Sequence, residues 1–187
     1  MTPGVDVIAA IPIAELSTDK PVPLDVADPC DSVPAGAVSP AGVATTPVES
    51  NEFGCVWKGP TLGLEIGALP ASMTKEVEAH VAMANRNSTD PLAHLAWLRI
   101  DGHYAIERIL EFDRAKGCWL TLDVSAPAAV HAVTYQIDPA TGERAESDTD
   151  TSVRDLCPAT RKIARNLLAH LESGERAWWA TSVHPTR

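Results

Sequence analysis

The chain contains 187 residues with a formal net charge of -10 at pH 7, and 45% of its residues are hydrophobic. This length and composition suit one globular domain with a core of its own. The acidic balance argues against nucleic acid and against an anionic membrane surface as partners, because both need clustered Lys and Arg. No apolar run approaches the roughly 20 residues that span a bilayer, and residues 1–10 lack the basic and apolar regions of a signal peptide.

The beginning of the chain predicts little regular structure. Residues 1–27 are rich in Pro and small residues and predict an extended tail, and the turn-forming residues over 28–50 allow one short helical turn. Two strands follow, over 53–57 and 61–68, and the Lys58-Gly59-Pro60 turn joins them into a hairpin. Alternation in the second strand places three residues on one face, namely Leu62, Leu64 and Ile66.

The middle of the chain predicts a helix and further strands. Ser72 is a suitable N-cap for a helix that reaches about Ala84. The clearest local pattern is a second hairpin with strands over 104–112 and 118–125, and another strand covers 130–137. The apolar side chains that share one face of the 118–125 strand are Cys118, Leu120, Leu122 and Val124.

The last strong element is a helix from about Leu156 to Ser173. Asp155 is its expected N-cap, since Pro158 then falls in the first turn, where its missing N–H has no cost. Gly174 follows the last turn as a suitable C′ residue. The predicted buried stripe of this helix is Ile163, Leu167, Leu168 and Leu171.

These elements predict one α+β domain over residues 28–174, in which two β-hairpins and a further strand are accompanied by helices. The domain is preceded by the tail over 1–27 and followed by an extension over 175–187.

Four cysteines lie in four separate segments, and none forms a CxxC pair. Their even number and wide spacing predict two long-range disulfides and an oxidising compartment outside the cytoplasm. Since an exported protein needs an export signal, we expect that this signal was removed ahead of Met1. The alternative is an intracellular interaction protein with free thiols. The four residues are Cys30, Cys55, Cys118 and Cys157.

The surroundings of these cysteines resemble a known family. Asp28-Pro29-Cys30 follows the Pro-rich tail, Cys55-Val56-Trp57 precedes a Gly-containing turn, Gly117-Cys118 leads a strand, and Leu156-Cys157-Pro158 opens the final helix. This order, over about residues 28–172, resembles a family of secreted actinobacterial lipoproteins that is defined only as a domain of unknown function (DUF3558-like).

The resemblance implies a location, a fold and a disulfide pairing, but no reaction. It implies an extracytoplasmic protein that a lipid anchors to the cell envelope, although the anchored cysteine of the family has no counterpart ahead of Cys30. It implies a small sandwich with an antiparallel sheet, stapled by two disulfides. Four cysteines allow three pairings, and the resemblance favours Cys30–Cys55 and Cys118–Cys157.

Residues that could carry chemistry are scattered. The sequence has no GxSxG elbow for a nucleophilic serine, and His80, His94, His103 and His131 form no zinc-binding pattern, so we expect no metal and no cofactor. Carboxylates near the second hairpin could do general acid–base work, but a solvated polar face is the simpler interpretation. They are Asp101, Glu107, Glu111, Asp113 and Asp123.

The tryptophans complete the set of candidates. Trp57 and Trp119 follow cysteines at strand starts, where each is expected to pack on a disulfide. Trp97, Trp178 and Trp179 are candidates for an apolar surface that contacts a partner. The overall interpretation is a non-catalytic module of the cell envelope that binds a protein or an apolar small ligand. The alternative is a secreted hydrolase that uses the carboxylates of the 101–123 hairpin.

Overall fold

The computed structural model describes residues 4–8, 33, 35–44, 47–51, 54–70, 95–112, 115–125, 128–146 and 155–172. The strands are β1 (Val5–Ile8), β2 (Glu49–Asn51), β3 (Gly54–Lys58), β4 (Leu62–Pro70), β5 (Leu95–Ile100), β6 (His103–Phe112), β7 (Ala115–Ser125) and β8 (Ala128–Gln136). The helices are α1 (Ala35–Val38), which continues into a single 3-10 turn, and α2 (Cys157–Glu172). Within these residues the strands form one antiparallel sheet with the order β1-β5-β6-β7-β8-β4-β3-β2. The predicted α+β class is confirmed.

The sheet has two faces, because successive side chains of a strand point to opposite sides. The face toward α2, here called the helix face, carries fully buried aliphatic side chains that pack with α2 in one core. On the strands they include Leu64, Ile66, Leu98, Ile100, Leu120 and Leu122, and on α2 they are Ile163, Leu167 and Leu168. Each such side chain contributes about 1.5–3 kcal/mol. The predicted inward positions of β4, β7 and α2 are therefore confirmed where their side chains are described.

The turn between β5 and β6 was not predicted from the sequence. The turn consists of two residues, Asp101 and Gly102, with φ angles of 48° and 96°. An Asp-Gly pair with both φ angles positive is the usual solution for a two-residue hairpin loop. The turn pairs Ile100 with His103 and so brings β5 into the sheet beside β6.

The predicted tail contributes to the sheet, because β1 lies at 5–8 and pairs with β5. The single helical turn expected over 28–50 is present as α1. The predicted helix from Ser72, the extension over 175–187 and Cys30 lie outside the described residues.

The Cys118–Cys157 disulfide is present, with a Cα–Cα distance of 5.3 Å. It joins the middle of the sheet to the first residue of α2, as the predicted pairing required. Pro158 falls in the first turn of this helix, also as predicted. Cys55 is fully buried in β3, and its predicted pairing with Cys30 stays a prediction.

Candidate functional site

The carboxylate of Glu107 lies on the helix face, where it is fully buried under α2. Arg161 holds it with two hydrogen bonds, from Nε to Oε2 at 2.6 Å and from Nη2 to Oε1 at 2.7 Å. The hydrogen bonding to Glu107 raises the pKa of Arg161 above its ordinary value, so the guanidinium stays charged. The expected solvated face is therefore wrong for Glu107, since strand alternation turns this residue toward the helix.

A second ion pair joins the same helix to the β5–β6 turn. Arg165, one helical turn after Arg161, donates from Nε to Oδ2 of Asp101 at 2.9 Å, and both side chains are about one-third exposed. Asp113 and the side chains of Glu111 and Asp123 lie outside the described residues. The two carboxylates that are described thus hold α2 on the sheet.

The opposite face of the sheet, here called the outer face, carries a cluster centred on His131. This side chain is fully buried, and its ring stacks on that of Trp119 with centroids 4.9 Å apart. Trp119 donates from its indole N–H to Oγ1 of Thr121 at 2.9 Å. Neither ring nitrogen of His131 has a hydrogen-bond partner in the described structure. Buried polar groups without a hydrogen bond are uncommon, and the described residues contain two more, namely the indole nitrogen of Trp57 and Nε of Arg108.

Glu65 connects His131 to Arg144. Its Oε1 lies 3.6 Å from Nε2 of His131, and its Oε2 lies 3.5 Å from Nη2 of Arg144. These contacts depend on β4 pairing with β8, which sets Glu65 opposite Val133 on the outer face. The carboxylate is therefore shared between an imidazole and a guanidinium.

Arg144 also covers Tyr135, with its guanidinium carbon 4.4 Å from the ring centroid. Burial raises the pKa of the Tyr135 phenol, and the charge of Arg144 partly opposes this shift. The ring occupies the space above Gly63, where an added Cβ would lie 2.1 Å from Cε2 of the tyrosine. A glycine at this position in β4 is what allows the tyrosine to lie flat on the sheet.

Arg108 completes the series at the other end. Its guanidinium carbon lies 5.1 Å from the Trp119 ring, and burial lowers its pKa to about 10. Charged and aromatic groups therefore form one continuous series across the outer face, here called the outer-face cluster. Its members are Arg108, Trp119, His131, Glu65, Arg144 and Tyr135.

An open cleft of about 830 Å³ lies beside this cluster. Arg144 belongs to both, because it lines the cleft while it contacts Glu65 and Tyr135. Leu62 and Leu156 line the cleft and also pack against the Cys118–Cys157 disulfide. The polar rim of the cleft includes Gln136, Asp138, Thr141, Glu143 and Glu146.

A metal site is not supported at the one cysteine-containing cluster found among the described residues. Ligand atoms of Glu107, Cys118 and Cys157 lie within 4.8 Å of one another. However, the two sulfurs form the disulfide, and the carboxylate is held by Arg161. A histidine beside a carboxylate can act as a general base, but His131 has no exposed surface for a substrate to reach.

The tryptophan predictions have mixed outcomes. Trp57 is fully buried in the same core cluster as Cys55, as expected for residues two apart on one strand. The prediction for Trp119 is wrong, because adjacent residues face opposite ways and Cys118 faces the helix. Trp97 is only 7% exposed in β5 and offers no open surface. Trp178 and Trp179 lie outside the described residues, so the partner surface there stays a prediction.

Sequence reasoning missed Glu65 and Arg144 and treated His131 as one of several scattered histidines. Glu65 and His131 come together only through the pairing of β4 with β8, strands separated by tens of residues. The available signal was polar residues at alternate positions of otherwise apolar strands.

In the described residues, no helix combines the length and the apolar character needed to cross a membrane. Comparison with protein-family models, curated proteins and solved structures finds no match for this chain.

Proposed function

We propose that this protein is a non-catalytic binding module of the cell envelope, and that it takes a small amphipathic ligand in the cleft beside the outer-face cluster. The observation that carries the proposal is Arg144, which lines the cleft while its guanidinium contacts the carboxylate of Glu65 and the ring of Tyr135. Ligand sites typically combine apolar walls with a few convergent polar groups. The cleft and the cluster together supply both.

The lining of the cleft defines the chemistry of the ligand. Leu62, Ile137 and Leu156 offer apolar contacts for the body of the ligand. Arg144 has 38% of its side chain exposed, so it can bind an acceptor group while it still contacts the cluster. The carboxylates of the rim disfavour ligands with many negative charges. An apolar body with one acceptor or anionic head fits these properties.

The location outside the cytoplasm rests on the cysteines. The Cys118–Cys157 disulfide favours an oxidising compartment, and the order of cysteine contexts resembles secreted lipoproteins. The hydrolase alternative gains no support from Asp101 and Glu107, because both are committed to ion pairs with α2. The alternative with free thiols at all four cysteines does not agree with the disulfide.

The test is titration with anilinonaphthalene sulfonate, a fluorescent probe with an apolar body and one anionic head. Arg144→Gln should weaken its binding about tenfold or more, since a hydrogen bond to a charged group is worth roughly 1.5–3 kcal/mol. The matched control is Lys162→Gln, which removes one positive charge from the exposed side of α2. Equal binding by both variants, with unchanged urea midpoints, would refute the proposed site.

A further inference from the structure

Arg108 is a cation of the outer face that receives no counter-charge from the described residues. It lies in β6 opposite Trp119 of β7, and strand alternation turns it away from the helix face. Its guanidinium carbon lies 5.1 Å from the centroid of the Trp119 ring. Burial lowers the pKa of Arg108 to about 10, so the guanidinium still carries its charge at pH 7.

Arg108 differs in this respect from three other arginines, each of which contacts a carboxylate. No such pair joins Arg108 to a carboxylate of the described part of the chain, and its Nε is buried there without a hydrogen bond. Hydrogen bonding to a carboxylate raises the pKa of Arg161, whereas burial lowers that of Arg108. The three pairs are Arg161 with Glu107, Arg165 with Asp101 and Arg144 with Glu65.

The charge distinguishes Arg108 from the other buried groups without a hydrogen bond. The indole of Trp57 lacks one neutral hydrogen bond, whereas Arg108 withdraws a full charge from water. A buried charge is far more costly than a buried neutral N–H, and a paired carboxylate is its usual compensation. The aromatic ring offsets only part of this cost. A methionine here would pack on Trp119 without the cost, so the stability of the fold does not explain the guanidinium.

The carboxylate of the outer-face cluster does not supply the missing partner. Glu65 lies in the same row of the sheet as Arg108, but three strands away. Three strand spacings place the two backbones roughly 14 Å apart, and the stacked rings of Trp119 and His131 lie between them. Arg108 keeps an intermediate exposure, so a group from outside the chain can reach its guanidinium.

We infer that Arg108 is the recognition residue of a second binding site, which takes the carboxylate of a singly charged ligand beside Trp119. A planar guanidinium matches the two oxygens of a carboxylate, and stacking on the indole fixes its plane before the ligand arrives. Phosphate fits the same donors, but the net charge of -10 disfavours ligands with several negative charges. The site is separate from the cleft, whose lining includes Arg144 and not Arg108.

The test is a titration of the full chain with acetate at constant ionic strength, followed by proton–nitrogen correlation spectra. The reporter is the indole N–H of Trp119, which belongs to the ring that contacts Arg108. Trp119→Phe identifies its signal by removing it. We expect a shift that saturates with acetate. Arg108→Met keeps much of the side-chain volume and should weaken the apparent affinity about tenfold or more, because hydrogen bonds to a charged group are lost.

Two variants separate this site from the rest of the protein. Arg165→Met removes an arginine that already has a carboxylate partner, so acetate should bind as it does to the wild type. A shift that never saturates, or one that Arg108→Met leaves unchanged, would overturn the inference. A shift that only Arg144→Gln abolishes would place the carboxylate in the cleft, which overturns this inference and leaves the proposed function standing. Equal affinity for phosphate would overturn the choice of a carboxylate.

Urea unfolding supplies an independent measurement of the same site. Without acetate, the midpoint of Arg108→Met should equal or exceed that of the wild type, because an uncompensated charge has been removed. Acetate should raise the midpoint of the wild type more than that of Arg108→Met, since a ligand stabilises the state that binds it. A lower midpoint for Arg108→Met without acetate would show that the guanidinium stabilises the fold, and would overturn the inference.

Discussion

Replacing Arg161 by methionine is expected to destabilise the protein strongly. The Glu107 carboxylate is fully buried and receives two charge-assisted hydrogen bonds from this guanidinium, at 2.6 and 2.7 Å. Methionine keeps much of the volume but leaves a buried anion without this counter-charge. Loss of one partner from a buried ion pair costs about 3–5 kcal/mol, which is a large part of the roughly 5–15 kcal/mol that stabilises a typical domain.

The double variant Glu107→Leu with Arg161→Met separates the charge from the packing. Replacing both members of a buried pair by apolar residues is often neutral or stabilising, because the desolvation of both charges is removed together. We expect the double variant to lie within about 1 kcal/mol of the wild type or above it. The double-mutant cycle should then give a coupling energy above about 2 kcal/mol.

Arg165→Met is the matched control, since Arg165 lies one turn further along α2. Its partner Asp101 is 33% exposed, and the two side chains are joined at 2.9 Å. Exposed ion pairs typically contribute only about 0–1 kcal/mol. Both substitutions therefore replace an arginine of α2 by methionine, and they differ in how deeply the partner carboxylate of that arginine is buried.

The measurement is urea unfolding under non-reducing conditions, followed by tryptophan fluorescence. The midpoint and slope give the free energy of unfolding of each variant. If Arg161→Met lowers this free energy no more than Arg165→Met does, burial of the Glu107 carboxylate is not costly, and the reasoning is refuted.

Three further expectations concern the disulfide and the outer-face cluster. Replacing both cysteines of the Cys118–Cys157 bridge by alanine should lower the free energy of unfolding by about 2–4 kcal/mol, given a separation of 39 residues; an unchanged urea midpoint would contradict this. In a Tyr104→Phe background, ultraviolet absorbance should show that Tyr135 ionises with a pKa above 10.0, and Arg144→Gln should raise this pKa further; a pKa at or below 10.0 would contradict the effect of burial. Since this pKa is raised by folding, the stability it contributes is present below pH 10 and is lost as pH rises through the folded value. His131→Phe, which keeps the stacking on the neighbouring indole, should raise the urea midpoint, because it removes two buried nitrogens that have no hydrogen bond in the described structure; a lower midpoint would show that the contact of Nε2 with the Glu65 carboxylate stabilises the fold.

Local patterns predicted the helix face well. The buried residues of β4 and β7 alternate with a period of two, as Leu64, Ile66, Leu120 and Leu122 show, and the buried residues of α2 recur at helical spacing. The buried side of each of these elements can therefore be predicted from its own residues. Asp155 and Pro158 marked the start of α2 to within two residues. Such signals are contained within one element and need no knowledge of its neighbours.

The outer-face cluster could not be predicted in this way. Its contacts depend on β8 lying between β4 and β7, which is a property of the sheet order. The same limit explains Glu107, because the arginine that pairs with it lies in a helix 54 residues later. The β5–β6 hairpin is different, since the Asp101-Gly102 pair was a local signal that the sequence analysis overlooked.

Buried polar groups on both faces of the sheet include some without a hydrogen bond in the described structure, such as the indole nitrogen of Trp57 on the helix face. On the helix face, Glu107 is bonded to Arg161, and the hydroxyls of Thr134 and Thr160 lie 2.6 Å apart. On the outer face, His131 is equally buried, yet neither ring nitrogen has a hydrogen bond within the described structure. Such a group costs about 1–3 kcal/mol that an aliphatic side chain would avoid. Departures from the rules of stable packing are expected at functional sites. The carboxylate of Glu65 connects His131 to Arg144, and Arg144 lines the cleft, so this departure lies beside the place where we propose that a ligand binds.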